Sequence, residues 1–261
     1  MFLIGEHDLA VSFDRVARIY DATRWSAVPP EILKKLLRAM NETLAGCKTI
    51  IDVGIGTGRF AEYLNDSGFN VVGIDVSLGM MAKAREKGLR NLVQADAQHL
   101  PFRDGIFDGA IMIHVLHLVR DWVQVVAEVG RVTSKVVVAE VECGEGFDPR
   151  SRYVELRKEM GYPLDRFNDG EAGLRRAIPP AIVKLVDDHW TDVDVHEEIE
   201  SFDKRKSSVS WDIPAEVNGH IIQLLHSQNP EKTIRRREIV EVVGWDPAQL
   251  RKVTGRGLSR T

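Results

Sequence analysis

Three glycines at alternate positions, Gly54, Gly56 and Gly58, directly follow the apolar run IIDV. Glycine has no Cβ and tolerates positive φ, so such a turn lets backbone N–H groups approach a bound ligand closely. The following residues, RFAEYLND, predict a helix whose positive N-terminal end points to the same place. The pattern therefore predicts a ligand-binding loop at the carboxyl end of a strand.

The distance from this loop to an acidic residue narrows the choice of ligand. Asp75 ends the next apolar run, VVGID, where a carboxylate can accept hydrogen bonds from both hydroxyls of a ribose. A nicotinamide or flavin fingerprint would need a third glycine at position 59, and that residue is Arg59. The loop is therefore expected to bind a ribose-containing ligand, and a dinucleotide is disfavoured.

The elements around this loop alternate in type along the first half of the chain. Short apolar runs predict strands, and stretches with apolar residues three and four apart predict helices. The expected strands are TIIDV, VVGID, NLVQADA, GAIMIHVL and KVVVAEVE. The expected helices are PPEILKKLLRAMNETLAG, RFAEYLNDSG, SLGMMAKAREKG with Ser77 as its N-cap, and WVQVVAEVGRV. This alternation predicts a doubly wound α/β fold with a mostly parallel, seven-stranded sheet.

The second half of the chain predicts an insertion into that fold. Strand signals stop at about residue 143, and RSRYVELRKEMG and EAGLRRAIPPAIVKLVDDH predict helices interrupted by glycine and proline. Apolar residues alternate again in DVDVHEEIESF and REIVEVVGW, which predict two late strands around a helix in PAEVNGHIIQLLHSQNP. We expect one domain, divided into an N-terminal helical lid (1–46), a cofactor-binding core (47–142), a helical substrate cap (143–190) and the last two strands with their helix (191–246).

Composition argues against several classes of partner. The 261 residues carry a formal net charge of -4 with both signs spread along the chain, which does not suit a nucleic-acid-binding protein. Cys47 and Cys143 are too few for a disulfide framework and lack the spacing of a zinc site. The sequence has neither an apolar run of ~20 residues nor a signal-peptide pattern. We therefore expect a soluble, cytoplasmic protein without a membrane span that acts on a small molecule.

Several motifs, in order, resemble those of one enzyme family. IDVGIGTGRF, VVGIDVSLGMMAKAREKG, VQADAQHLPFRDGIFDGAIMIHVLHLV and EVGRV are similar to successive motifs of the class I S-adenosylmethionine-dependent methyltransferases. The resemblance is to the small-molecule group that includes the ubiquinone and menaquinone biosynthesis methyltransferases. It runs from about Val16 to Glu142 and becomes loose past Cys143.

This resemblance implies a cofactor and a set of contacts to it. S-adenosyl-L-methionine would be the methyl donor and S-adenosyl-L-homocysteine the product. The residues implied at the methionine and ribose parts are Asp52, Gly54, Gly56, Gly58 and Asp75. Those implied on the adenine side are Val76, Met80, Asp96 and Ala97. Tyr20 in IYDATRW would cover the cofactor, with Arg24 at its carboxylate.

Two histidines at the end of the fourth predicted strand are the candidates for catalysis. His114 and His117 in IHVLHLV lie where open parallel sheets bind ligands, and His114 is also a candidate cofactor contact through its backbone. Displacement of a methyl group from a sulfonium needs mainly alignment and exclusion of water, so a base is needed only when the acceptor must lose a proton. A metal site is not expected, because Asp121 behind this strand has no paired acid nearby.

The residues after the fourth predicted strand also indicate which class of methyl acceptor to expect. Family members that methylate nucleobase amines carry a [DNS]PP[YFW] motif after the fourth strand, whereas this chain has HVLH there, so a small-molecule acceptor is expected. A catalytically silent binding module with the same fold is the main alternative. A nucleotide-dependent oxidoreductase is a weaker one, because of Arg59.

Overall fold

The structure is a computed structural model that describes residues 29–164 and 169–253. The strands are β1 (Thr49–Val53), β2 (Asn70–Asp75), β3 (Leu92–Gln94), β4 (Phe107–Met112), β5 (Thr133–Glu145), β6 (Ile182–Asp194) and β7 (Thr233–Trp245). The helices are α1 (Pro30–Thr43), α2 (Arg59–Asp66), α3 (Leu78–Glu86), α4 (Trp122–Val132), α5 (Pro149–Glu159), α6 (Gly170–Ala177), α7 (Val195–Asp203), α8 (Ala215–Gln228) and α9 (Pro247–Leu250). Short 3-10 helices lie at Leu116–Leu118 and Ser208–Ser210.

The seven strands form one sheet in the order β3-β2-β1-β4-β5-β7-β6. Strands β1 to β5 pair in parallel, and β7 is antiparallel to both β5 and β6. The predicted mostly parallel, seven-stranded sheet is therefore confirmed. Because β1 lies between β2 and β4, the strand order reverses at its carboxyl end, which is where open sheets of this type bind ligands.

Helices cover both faces of the sheet because successive strand residues point to opposite sides. On one face, Ile50 and Ile111 pack with residues of α1, α2 and α3, such as Met40, Leu64 and Met81. On the other face, Ile51, Met112 and Val137 pack with α4, α6 and α9. The apolar runs predicted as strands are thus buried on both sides, and they fix the carboxyl ends of β1, β2 and β4 next to one another.

A third hydrophobic cluster lies outside these two layers. Helices α5, α7 and α8 contribute Tyr153, Leu156, Ile199, Phe202 and Ile221 to it. This helical group therefore draws on both the β5–β6 and the β6–β7 connections.

Two element assignments within the second half were wrong. The segment from Ile182 onward, predicted as helix, is strand β6, in which the exposures of successive residues alternate from Ile182 to Leu185. The segment VHEEIESFD, predicted as strand, is helix α7, which Asp194 caps by accepting a hydrogen bond from the Glu197 N–H at 3.0 Å. Pairing of twelve of its residues with β7 decides the first case, and burial of Val195, Ile199 and Phe202 at helical spacing decides the second.

The other boundaries predicted from the sequence, between lid, core, cap and final strands, stay a prediction. Residues 1–28 of the expected lid lie outside the described residues. In the described ranges, no helix combines the length and the apolar composition needed to cross a bilayer.

Candidate active site

The glycine loop lies where the sequence predicts it, between β1 and α2. The backbone N–H groups of Gly54 and Ile55 both donate to the Ile74 carbonyl, at 2.9 and 2.8 Å, which ties the loop to the end of β2. Gly54 has φ +74°, and a Cβ there would lie 2.8 Å from Cγ2 of Val115. Only glycine fits both the conformation and the space, so the loop is held between β2 and the segment that follows β4.

Asp75 organises the same loop with its side chain. One carboxylate oxygen accepts a hydrogen bond from the Gly56 N–H at 2.9 Å, and the other accepts from the Ser77 N–H at 2.8 Å. The next turn is the start of α3, where the Ser77 hydroxyl accepts from the Met80 N–H at 3.1 Å, so the predicted N-cap is present. The backbone therefore fixes both oxygens of this carboxylate at the end of β2.

An open cavity of about 870 Å³, counted to include the solvent at its mouth, lies over this loop. Its walls include Asp52, Gly54, Gly56 and Asp75 on the β1–β2 side. Val76, Met80 and Ala97 form an apolar wall beyond Asp75, and His114 enters from the end of β4. Eight residues predicted from the sequence are therefore brought together around one cavity.

Three other predicted residues lie elsewhere. Gly58 is the N-cap of α2, with φ +79°, and a Cβ at this position would lie 2.2 Å from Cδ1 of Leu89. Gly58 therefore allows Leu89 to pack closely behind the loop. The carboxylate of Asp96 accepts from the Gln98 N–H at 2.9 Å and does not line the cavity. His117 packs against the start of α6 at Gly170.

The predicted residues Tyr20 and Arg24 lie outside the described residues. Arg59, which the sequence analysis treated only as a break in the dinucleotide pattern, lines the cavity. Its guanidinium also lies over the Phe60 ring, 4.8 Å from the centroid.

Asp52 is a buried acid at the base of the cavity. It is 4% exposed, and burial, together with the negative charge of Asp75, raises its pKa to about 7. The positive charge of Arg59 acts in the opposite direction and lowers this pKa. A carboxyl poised in this way becomes a full negative charge when a cationic group binds beside it.

The side of the cavity at β4 holds a histidine in an unusual conformation. His114 has φ +56°, a value that non-glycine residues seldom adopt and that concentrates at functional sites. Its Nε2 lies 3.6 Å from Oε2 of Glu140 on β5. Burial, followed by the negative charge of Glu142, raises the pKa of Glu140 to about 8. The sequence analysis missed Glu140, although a charged residue inside the apolar run VVVAEVE was a signal for it.

A second buried acid ties the insertion to this side of the cavity. Glu171 on α6 is 4% exposed, and one of its carboxylate oxygens accepts from the N–H groups of Val115 and Leu116, at 2.8 and 3.2 Å. Burial raises its pKa, and the backbone hydrogen bonds partly oppose that shift. The sequence gives no local signal for this contact, because Leu116 and Val115 lie 55 and 56 residues before Glu171 in the chain.

Residues 51–136 match a protein family described as a methyltransferase domain. This segment of the chain is therefore similar to a methyltransferase domain. The matched residues carry the glycine loop, Asp75, Met80 and His114, so the domain includes most of the cavity described above. The resemblance to class I S-adenosylmethionine-dependent methyltransferases is thus confirmed.

Curated relatives of the methyltransferase domain include two kinds of methyltransferase. The chain is 36% identical over 141 residues to the demethylmenaquinone methyltransferase of Beutenbergia cavernae, covering 51% of this chain and 58% of that protein. It is 34% identical over 112 residues to the malonyl-[acyl-carrier protein] O-methyltransferase of Geobacter sulfurreducens, covering 41% of each chain. The chain therefore spans about half the length of the curated relatives it matches.

Solved structures extend the similarity to the fold of most of the chain. The YcgJ protein of Bacillus subtilis superposes with a TM-score of 0.50 at 19% identity, covering 80% of this chain and 97% of that one. A putative methyltransferase of Bacillus halodurans gives the same TM-score at 18% identity, covering 83% and 99%. At these identities, the likeness shows that the methyltransferase domain shares its fold with these proteins.

Proposed function

We propose that this protein transfers a methyl group from S-adenosyl-L-methionine to a small-molecule acceptor. One observation carries the proposal: the segment that matches the methyltransferase domain also supplies the glycine loop and the acid at the end of β2, which together line the cavity. The relatives are named for demethylmenaquinone and for a malonyl group on acyl carrier protein, which supports an acceptor other than a nucleic acid.

The cavity suits this cofactor part by part. The carboxylate of Asp75 lines the cavity and can accept hydrogen bonds from ribose hydroxyls, and the apolar wall of Val76, Met80 and Ala97 suits the flat adenine ring. Gly54 and Gly56 leave the loop bare where the methionine part would lie, and the buried carboxyl of Asp52 would pair with its ammonium group. The residues present therefore fit the cofactor.

The protein's part in the reaction would be alignment and exclusion of water. A bound sulfonium supplies an already activated methyl group, so in-line approach of the acceptor is the main requirement. His114 reaches the cavity from the end of β4 and is the residue we propose to contact the acceptor. For a hydroxyl or amine acceptor, its imidazole would also be the candidate to receive the proton.

Helix α6 and its neighbours are the proposed acceptor-binding cap. Glu171 of α6 holds the backbone N–H groups of Val115 and Leu116, and Val115 itself lines the cavity. A segment tied to the cavity wall in this way can select an acceptor while the sheet holds the cofactor. The region 143–190 is therefore kept as the cap, with its β6 portion belonging to the sheet.

The first test is calorimetric titration of the protein with S-adenosylhomocysteine, run beside NAD and NADH. We expect binding of the first and none of the others. Asp75→Ala should weaken that binding by about 1 to 3 kcal/mol, since the ribose hydroxyls lose a charged acceptor. Asp66→Ala, which removes an exposed acid at the end of α2, is the control and should bind as wild type.

The possible results separate the alternatives. Preferential binding of a nicotinamide cofactor would contradict the proposal and favour an oxidoreductase. Tight S-adenosylhomocysteine binding that is unaffected by Asp75→Ala would show that the cofactor lies elsewhere. Thermal unfolding of both variants checks that any loss of affinity does not come from loss of the folded loop, which Asp75 also holds.

A further inference from the structure

Three metal-ligating side chains meet at the carboxyl ends of β4 and β5. A ring nitrogen of His114 and carboxylate oxygens of Glu140 and Glu142 all lie within 4.8 Å of one another. The closest measured pair, Nε2 of His114 and Oε2 of Glu140, is 3.6 Å apart. Glu140 and Glu142 are two residues apart on one strand, so their side chains leave the same face of the sheet.

The register of the sheet produces this arrangement. Met112 at the end of β4 pairs with Ala139 of β5, so the next residues of the two strands run side by side into the region of the cavity. The sequence predicted no metal site because Asp121, which follows the fourth strand, has no paired acid nearby. The two glutamates lie more than 25 residues after His114 in the chain, and only strand pairing brings them to the histidine.

We propose that His114, Glu140 and Glu142 bind a divalent transition-metal ion such as Mn²⁺. One imidazole and two carboxylates are a donor set that suits Mn²⁺, Fe²⁺ or Zn²⁺. Bonds of about 2.1 Å place neighbouring ligand atoms roughly 3 to 3.5 Å apart, which the His114–Glu140 pair already approaches. The other ligand atoms of the group lie within 4.8 Å of one another.

The surroundings of Glu140 point independently to a ligand. This residue is 8% exposed, and its carboxylate is directed into the group of three. Nε2 of His114 lies 3.6 Å from its Oε2, and the positive charge of Arg59 also acts on it. Burial of a carboxylate is costly unless cations or donors compensate it, and a coordinated ion supplies that compensation.

The place of the site suggests what the ion would do. His114 lines the cofactor cavity, so an ion held there lies beside it and can take oxygen or nitrogen atoms of an acceptor as further ligands. Coordination would lower the pKa of an acceptor hydroxyl, so that its proton could pass to solvent water without a free imidazole. This role rests on the proposed methyl transfer, whereas binding of the ion does not.

The test uses the full chain after chelator treatment, with Mn²⁺ alone as the probe. Free Mn²⁺ is followed by electron paramagnetic resonance, and we expect one bound ion per chain with a dissociation constant below about 100 μM. His114→Gln, Glu140→Gln and Glu142→Gln should each weaken binding by at least about tenfold. Glu145→Gln removes the same charge from the exposed end of β5 and should leave binding nearly unchanged.

The Mn²⁺-loaded wild-type protein gives a readout that does not depend on how the variants fold. Electron spin-echo spectra should show modulation from a coordinated imidazole nitrogen, and His114→Gln should lose it. Binding weaker than about 1 mM, a spectrum without nitrogen modulation, or equal weakening by Glu145→Gln would overturn the proposal. Titration with S-adenosylhomocysteine in the presence of chelator reports cofactor binding separately, so failure of one proposal can be told from failure of the other.

Discussion

Asp52 gives the sharpest prediction, because its burial makes the free energy of unfolding depend on pH in a known direction. Burial, with the charge of Asp75 added, raises its pKa to about 7 in the folded protein. In an unfolded chain the pKa of an aspartate is about 3.9. Between these two values the folded state holds more protons than the unfolded state, so the free energy of unfolding falls as pH rises.

The size of the effect follows from the same two values. A shift of roughly three pKa units corresponds to about 4 kcal/mol once the pH is well above 7, and about 2 to 3 kcal/mol of it develops between pH 5 and pH 8. Asp52→Asn abolishes this titration. The stability of the variant relative to wild type should therefore rise by about 2 to 3 kcal/mol over that range.

Urea unfolding at pH 5, 6, 7 and 8 measures this difference. The amide introduced by Asp52→Asn has its own burial cost, but that cost is the same at each pH and drops out of the comparison. Asp66→Asn changes an exposed acid, and its curve should stay parallel to that of wild type. Curves for Asp52→Asn and wild type that stay parallel within about 0.5 kcal/mol would refute the reasoning, because Asp52 would then titrate as an exposed acid.

The same carboxyl predicts how affinity for the cofactor depends on pH. If the ammonium group of the ligand pairs with ionised Asp52, binding must first remove the proton that burial keeps there. With a pKa of about 7, the ionised fraction rises about tenfold from pH 6 to pH 8, and the affinity for S-adenosylhomocysteine should rise by a similar factor. In Asp52→Asn the affinity should be weaker and nearly independent of pH; an equal rise in the variant would mean that another group is responsible.

Two further substitutions test the packing around the cavity, both by urea unfolding at pH 7. Gly58→Ala should lower the free energy of unfolding by about 2 to 3 kcal/mol, because a Cβ at φ +79° would lie 2.2 Å from Cδ1 of Leu89. The control is Gly46→Ala, at φ +82° with open space around it, which should cost only about 1 kcal/mol. Equal losses in the two variants would contradict the steric argument. Glu171→Ala should lower the free energy of unfolding by about 2 to 4 kcal/mol, because it leaves two backbone N–H groups without their acceptor. Glu171→Gln keeps an acceptor oxygen and should cost less than half as much. Similar losses in both variants would show that the charge of Glu171, and not its hydrogen bonds, stabilises the fold.

The side of the cavity formed by the glycine loop and Asp75 was predictable because its sequence signals are local. Gly54, Gly56 and Asp75 lie within 22 residues of one another, and each follows an apolar run that can only be a buried strand in this context. Ser77 is a simple N-cap signal, and the structure places it as such. Gly58 shows the limit of the pattern: glycine spacing predicts a bare loop, but the tertiary contact with Leu89 decides which glycine serves packing and not the ligand.

The acceptor side was not predictable in the same way. Strand β6 lies at the edge of the sheet, where Leu185 is 62% exposed, so its apolar residues lack the continuous run that marks a buried strand. The contact between His114 and Glu140 depends on the pairing register of two strands, and the contact of Glu171 with the loop after β4 depends on how the insertion folds back. Neither is encoded in the spacing of residues along a single element.

This difference has a consequence for how such a protein can change its substrate. The glycine loop is locked by backbone hydrogen bonds and by the carboxylate of Asp75, so most substitutions there are expected to cost stability. Helices α5, α7 and α8 have a hydrophobic cluster of their own, so their surface residues can change without disturbing the sheet. Among the described residues, Glu171 joins the insertion directly to a cavity-lining segment. Changes in acceptor choice that arise in the insertion are therefore expected to act on the cavity through α6.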